Sequence, residues 1–344
     1  MTADAVGGVW TYVLELTGAL ARRGVEVHVA TMGKPLRQDE RDAAAAMGVA
    51  ALHESRFRLE WEQDAWADVD RAGDWLLELA SSHDADLVHL NGYVHAALEW
   101  EVPVVVVAHS DVLSWWRAVR REEPPPHLDR YRQRVEAGLR AADLVCAPTR
   151  AALQDLARGY CFSTEGTVVP NGRTAPATVS AKEALVVALG RFWDEAKNVA
   201  ALDRIGTRSP WPVVVAGPGT PTGRLAPSEA ARLLGRASIF AAPARYEPFG
   251  LAALEAAQAG CALLLGDILS LREVWADSAV YVPPDDDEAI LAALRGLCAD
   301  GRRRGGLAAR AQERAAMYTP AATAERMLAV YERVLKTSAV GVGQ

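Results

Sequence analysis

The sequence predicts an α/β protein made of two Rossmann-like domains facing a central cleft. Three observations carry this reading. Apolar strand-like runs alternate with helical periodicity twice along the chain, with a turn and a polar stretch between the two rounds. The 344 residues exceed what a single core usually organises. Residues Ala242 to Ala257, A-P-A-R-Y-E-P-F-G-L-A-A-L-E-A-A, read as the end of a buried strand, an acidic loop and the start of a helix, which is how the carboxyl edge of a parallel sheet is built.

In the first half, Val9, Val13, Leu16 and Leu20 recur at helical spacing, Gly24 supplies a stop, and Val25, Val27 and Val29 form the next strand. Helical stretches at Asp70 to Ala80 and Arg130 to Ala141 alternate with apolar runs at Leu87 to Leu90, Val102 to Ala108, Leu144 to Ala147 and Val168 to Val169. Pro170-Asn171-Gly172 turns the chain, and Arg173 to Lys182, rich in Ala, Thr and Pro, reads as a linker. The second half restarts with strands near Leu185 to Leu189, Val213 to Ala216, Ile239 to Ala242, Ala262 to Leu265 and Val280 to Val282. Helices follow at Glu288 to Cys298, Arg303 to Met317 and Ala321 to Leu335. The expected boundaries are 1–172 for the first domain, 173–183 for the linker, 184–320 for the second domain and 321–336 for a C-terminal helix.

Composition narrows the class. With 50% hydrophobic and 24% charged residues the chain is typical of a soluble globular protein, and no apolar run approaches a membrane span. A net charge of −7 argues against a nucleic-acid binder, whose affinity comes largely from cations meeting phosphates. Arg302, Arg303 and Arg304 read as a solvated face; docking on an anionic membrane is the alternative. Cys146, Cys161, Cys261 and Cys298 lack metal-ligand spacing and read as buried small hydrophobes in a reducing cytoplasm, so no metal is expected.

The chemistry centres on Glu247 and Glu255. The free N–H groups of Gly250 and Leu251 and the helix dipole behind them favour a phosphate, so a neighbouring carboxylate serves another group. A helical span of eight residues advances about 12 Å, too far for two carboxylates flanking one glycosidic bond but matched to an extended ligand such as a nucleotide sugar. Glu255 lies among small apolar residues and needs donors, which ribose hydroxyls would provide; a partly exposed surface glutamate is the plainer alternative.

This segment resembles the E-x7-E motif of retaining GT-B glycosyltransferases of family 4, the glycosyl transferases group 1. Gly7-Gly8-Val9 opening a helix, His109 after an apolar strand, Asn171-Gly172 before the linker, and Gly190-Arg191 with Lys197-Asn198 follow in the same order over nearly the whole chain. The resemblance implies the GT-B arrangement and transfer of a sugar from a nucleotide-diphosphate donor to an acceptor hydroxyl with retention, without a metal or other cofactor. It also implies that the last helix crosses back to the first domain. Gly8, Arg191, Lys197, Phe249, Gly250, Leu251 and Glu255 would bind the donor, with Arg191 and Lys197 stabilising the leaving diphosphate. His109 would contact the transferred sugar and Glu247 its hydroxyls, making these two the catalytic pair. Trp115 and Trp116, in the loop region after His109, and Trp10 and Tyr93 would line the side taking a glycan, lipid or small-molecule acceptor; packing beneath the Pro124 to Pro126 turn is the alternative for the tryptophan pair.

Two departures from the family pattern stand out. Only Met1 to Val6 precede the glycine turn, too short and polar to replace a central first strand, so that strand is expected to be missing and the chain truncated or begun at a misassigned start. Pro218 to Ala237 is compressed where the family carries a strand and a base-contacting loop. Two other readings therefore stay open: a GT-B nucleotide-sugar epimerase, and a degenerate scaffold that binds without turnover. A nicotinamide-dependent enzyme is disfavoured because no G-x-G-x-x-G follows a first strand.

Overall fold

The computed structural model describes residues 1–4, 7–162, 166–175 and 180–341, the last four by backbone alone. Two compact α/β units emerge, one comprising Met1–Ser114, Glu123–Gly172 and Pro320–Gln344, the other Trp115–Glu122 and Arg173–Thr319. Residues 176–179 of the expected linker lie outside the described residues.

The first unit begins β1 (Thr2–Asp4), α1 (Gly8–Ala21), β2 (His28–Met32), α2 (Gln38–Ala46), β3 (Ala51–Glu54), α3 (Trp66–Ser82) and β4 (Val88–Leu90). It continues β5 (Val104–Val107), the start of α4 (Val112–Arg120), whose residues from Trp115 on belong to the second unit, α5 (Asp129–Ala141), β6 (Leu144–Ala147), α6 (Arg150–Gly159) and β7 (Thr167–Val168). All pairings are parallel, in ladders β1-β2-β3 and β4-β5-β6-β7. Asn91, just past β4, joins the two ladders: its backbone N–H donates to Thr2 Oγ1 (2.9 Å) and its Nδ2 to Thr2 O (2.7 Å). Side chains along β5 alternate in destination as the pleat requires. Val105 and Val107 pack with Val13, Leu16 and Leu20 of α1, while Val104 and Val106 pack with Leu113, Leu139 and Leu153 on the other face.

The strand expected to be missing is therefore present. Three residues suffice because they are buried between β2 and Asn91, so that their backbone groups are paired and even Thr2 and Asp4 are only 5% exposed. Two further expectations shift. The second strand starts at His28 rather than Val25, and Trp115 and Trp116 lie on helix α4 rather than in a loop. Asp111 starts that helix, its Oδ1 accepting from Ser114 N at 2.9 Å, a capping signal legible in D-x-x-S.

The second unit runs β8 (Glu183–Leu189), α7 (Val199–Gly206), β9 (Val213–Ala216), α8 (Pro227–Arg236), β10 (Ala237–Ala242), α9 (Leu251–Gln258) and β11 (Ala262–Gly266). Then come α10 (Leu269–Trp275), β12 (Ala279–Val282), α11 (Asp287–Ala299) and α12 (Gly301–Ala315). Its parallel sheet has the order β12-β11-β10-β8-β9, with core on both faces. Every apolar run read as a strand in this half forms one. The chain leaves β8 toward β9 and returns on the opposite side to β10, so strand order reverses between β8 and β10. Ligands of open α/β sheets bind outside the carboxyl ends of strands at such a reversal. Finally α13 (Pro320–Gly341) rejoins the first unit, where Met327, Val330 and Tyr331 pack on the α1 side.

The cysteine expectation holds in part. All four are free, and Cys146 and Cys261 are buried, but Cys161, past the end of α6, is exposed and Cys298, in the last turn of α11, is half-buried. No helix among the described residues is long and apolar enough to cross a membrane.

Phe240 is fully buried on the central strand β10. Its replacement by Ala is expected to cost about 3–5 kcal/mol and to move the first urea-unfolding transition to lower denaturant. An unchanged midpoint would contradict this placement of the core.

Candidate active site

At the strand-order reversal of the second unit, two loops carry the charged residues singled out from sequence. The loop after β8 presents Arg191 and Lys197; the loop after β10 presents Glu247. Lys197 Nζ donates to Glu247 Oε2 at 2.5 Å, with about a third of the lysine side chain and a fifth of the glutamate exposed (32% and 19%). Arg191 Nη2 reaches Asp194 Oδ2 at 2.7 Å.

The loops are held by backbone and amide contacts. Asn198 takes a left-handed conformation (φ 51°) before α7, and its buried Nδ2 donates to Pro243 O (3.0 Å) and Pro284 O (2.6 Å). Arg245 N donates to Ala196 O (2.8 Å), while Ser270 Oγ donates to Glu247 O (2.6 Å). Gly250, at φ +94°, turns the chain into α9; a side chain there would be strained and would crowd Leu271. The first N–H groups of α9 are left without helical partners, as at any helix start.

Glu255, one turn into α9, receives Arg173 Nε at 2.7 Å. Gln258 Nε2 in turn donates to Arg173 O (2.8 Å), holding the arginine's backbone. The donor that Glu255 was expected to find in a ribose is thus already supplied by the protein. Leu251 opens α9 half-buried. Phe249 is 2% exposed and packs edge-on to Tyr318 with ring centroids 5.4 Å apart. The ring faces the core beneath the loop, where it joins Leu254, Leu271 and Trp275.

Trp115 and Trp116 lie edge to face (6.3 Å), with the Arg120 guanidinium 5.5 and 5.9 Å from their ring centres. Arg120 also makes a two-pronged ion pair with Glu195 at 2.8 Å, and Arg121 pairs with Asp285, which Arg245 also contacts at 2.6 Å. Their part-buried rings are thus braced by the Arg120 guanidinium.

In the first unit, Gly7 (φ 86°) leads into α1, putting Gly8 at the helix start, where it is exposed. His109 follows β5. Asn91 Nδ2 donates to Thr2 O, so Oδ1 is the acceptor facing both His109 Nε2 (2.7 Å) and His89 Nε2 (3.2 Å). Each ring therefore carries its proton on Nε2. His89 Nδ1 accepts from Tyr331 O–H (2.6 Å), and His109 Nδ1 is left as an acceptor with Tyr12 edge-on at 4.7 Å. Burial holds His109 down to about 4 and His89 down to about 3, so both are neutral at pH 7.

Trp10 and Tyr93, expected on the acceptor side, are buried. Trp10 (7% exposed) joins the α1 core, and Tyr93 (3% exposed) is buried with its hydroxyl donating to Ser110 O (3.1 Å). Beside β1 and β4 lies a cavity of about 30 Å³ lined by Asp4, Arg58, Glu60 and Asn91 among others. Glu60 accepts from the N–H groups of Tyr93 and Val94 at 3.1–3.2 Å, yet burial outweighs these bonds and raises its carboxyl to about 7. Sequence reading missed Glu60, Arg173 and the anchoring role of Asn198, none of which belongs to a periodic or spaced pattern.

Known proteins resemble this chain in sequence and fold. The profile of Glycosyltransferase Family 4 matches residues 6–174, and that of Glycosyl transferases group 1 matches residues 220–315. A D-inositol 3-phosphate glycosyltransferase of Kineococcus radiotolerans is 29% identical over 99% of this chain and 94% of its own length. A phosphatidyl-myo-inositol mannosyltransferase of Mycolicibacterium smegmatis is 24% identical over 96% and 91%. Among solved structures, sucrose-phosphate synthase from Thermosynechococcus elongatus superposes with a TM-score of 0.79 at 18% identity, covering 98% of this chain and 99% of that one. Anabaena HepE in complex with UDP-glucose gives 0.74 at 15%, covering 97% and 100%. The fold is GT-B.

The neutral histidines link stability to pH. Their folded-state values lie below the ordinary 6.5, so as pH falls through 6.5 the unfolded chain gains protons that the folded one refuses until about 4 and about 3. Stability is expected to be full above pH 6.5 and to fall progressively below it. His89→Gln, which removes one such group, should show a smaller loss in urea midpoint between about pH 7.5 and about pH 5 than the parent. Equal losses would refute the assignment.

Proposed function

Because this chain belongs to the GT-B glycosyltransferases of family 4, glycosyl transferases group 1, and is a hexosyltransferase-type enzyme, we propose that it transfers a sugar from a nucleotide-diphosphate donor to a hydroxyl of an inositol-like polyol, with retention and without a metal. The observation that carries this reading is the Lys197–Glu247 pair, set with Arg191 at the strand-order reversal and directly before α9.

A diphosphate placed at the start of α9 meets the orphan N–H groups there, and Arg191 and Lys197 supply the positive charge that a metal would otherwise bring. As Lys197 turns to phosphate, Glu247 is released to accept hydrogen bonds from sugar hydroxyls. The bond from the anomeric carbon to the diphosphate oxygen breaks, and the departing oxygen takes the proton of the acceptor hydroxyl attacking from the same face. Charge building on the diphosphate is what the two cations stabilise. Glu247 acts as a hydrogen-bond acceptor rather than a nucleophile, consistent with its being buttressed by a cation. His109, neutral with its proton given to Asn91, offers Nδ1 to a substrate hydroxyl and does not serve as an acid.

The polyol assignment draws on the two relatives known as a D-inositol 3-phosphate glycosyltransferase and a phosphatidyl-myo-inositol mannosyltransferase. The free cysteines fit a reducing cytoplasm, where we place the reaction. The presence of β1 removes one ground for reading the chain as a degenerate scaffold.

The test is transfer of labelled sugar from a panel of UDP, GDP and ADP donors to inositol 3-phosphate in the presence of a chelator. Lys197→Ala and Glu247→Ala should each lower turnover by about 100-fold or more with unchanged circular dichroism. Full turnover in both variants, dependence on added metal, or a product of inverted anomeric configuration by NMR would each overturn the corresponding element of the proposal.

A further inference from the structure

We propose that His28, His53 and His83 form a binding site for a divalent late-transition cation, zinc foremost, which ties strands β2 and β3 to the end of helix α3. The three residues are far apart in sequence, but the fold brings one ligand nitrogen from each within 4.8 Å of the others. His28 opens β2 and His53 lies on β3; the register Ala30↔His53 sets them as diagonal neighbours on one face of the parallel ladder. His83 caps the carboxyl end of α3 and is exposed.

The geometry matches ligand spacing. His53 Nε2 and His28 Nδ1 stand 3.4 Å apart. Two nitrogens bound to one tetrahedral zinc at about 2.0–2.1 Å are separated by about 3.4 Å. Those two are therefore already at the distance that a shared ion imposes, and His83, on an exposed helix end, needs only a small swing to supply the third nitrogen.

Glu26 sets the tautomer. Its Oε1 lies 3.0 Å from His28 Nε2, which places that proton on Nε2 and leaves the Nδ1 lone pair turned toward His53. A carboxylate on the far nitrogen of a ligating imidazole orients the ring and raises its basicity in metal sites. The third imidazole, His83, is canted at 57° and 49° to the stacked pair His28–His53 (22° between planes), with its ring centre 4.5 and 4.9 Å away, so the three rings converge. Three neutral nitrogen donors suit zinc, copper, nickel or cobalt, whereas magnesium and calcium take oxygen. The open side at His83 leaves a fourth position for water.

The site is separate from the transfer chemistry. His28 stands at the amino end of β2, whereas Gly8 and His109 follow the carboxyl ends of their strands. Its role is that of a staple linking the β2–β3 ladder to the end of α3, and any ligand of the folded state raises its stability by mass action.

The test uses the full chain without a histidine tag, titrated with zinc chloride by calorimetry and with cobalt by visible absorption. One zinc per chain, an intense tetrahedral cobalt spectrum, and a zinc-dependent rise in Tm that magnesium does not reproduce are expected. His83→Ala, at an exposed position, should keep the Tm of the metal-free parent, weaken zinc binding by about 10-fold or more and abolish the zinc-dependent rise. His53→Asn should do the same. Absence of binding at about 100 μM zinc, or undiminished affinity in folded His83→Ala, would overturn the proposal.

Discussion

The second unit's site depends on one buried amide. Asn198 sits in the left-handed region at the head of α7, and its Nδ2 ties together two proline carbonyls, Pro243 after β10 and Pro284 after β12. Proline has no N–H and ends its strand, so the chain after each of these strands has lost the ladder that would hold it. A single side chain with two donors replaces that ladder at the carboxyl edge. The neighbouring Lys197 consequently leaves the β8 loop at a fixed point and direction, opposite the loop that carries Glu247, and Arg245 N closes the same arrangement onto Ala196 O. The amide and not the charge pair sets the geometry, because a half-exposed ion pair contributes only about 0–1 kcal/mol on its own.

Asn91 has the corresponding task in the first unit. It satisfies both the side chain and the carbonyl of Thr2, so the short β1 is stitched to the end of β4, and its oxygen dictates the tautomers of His89 and His109. A side chain that closes a sheet thus also decides which nitrogen of His109 faces outward. Backbone architecture and the protonation state of the site are coupled through one residue.

This explains what the sequence could and could not convey. Central strands such as Leu263 to Leu265 are legible because burial on both faces forces a continuous apolar run, and Glu247 and Glu255 are legible because a loop and a helix start fix their spacing. Edge elements are not: β3, A-L-H-E, has one partner strand and little to alternate, and α2 is largely polar. In α1 Trp10 shares its helix face with Val13, three residues on, and the helix turns that face inward, while the Phe249 ring lies on the core side of its loop; neither orientation is set by local sequence. Glu60 and Arg173 meet their partners only through tertiary contacts, so no local pattern announces them.

The pairing of Arg191 with Asp194, Lys197 with Glu247 and Arg173 with Glu255 has a consequence for recognition. Unpaired, these cations would form a positive patch with affinity for any polyanion. Each held by a carboxylate in a partly exposed pair, they lose little when an anion displaces the carboxylate, since the pair and its solvated parts differ by about 1 kcal/mol or less. The carboxylate released by a bare phosphate, however, is left facing anionic charge. A ligand that brings hydroxyl groups along with its phosphates supplies a donor to the freed Glu247 as it takes Lys197, so only the composite ligand satisfies both halves of the broken pair. Under the proposed function, selectivity for a sugar joined to a diphosphate over the diphosphate alone would follow from these pairings, before any contact with the base or the acceptor is counted.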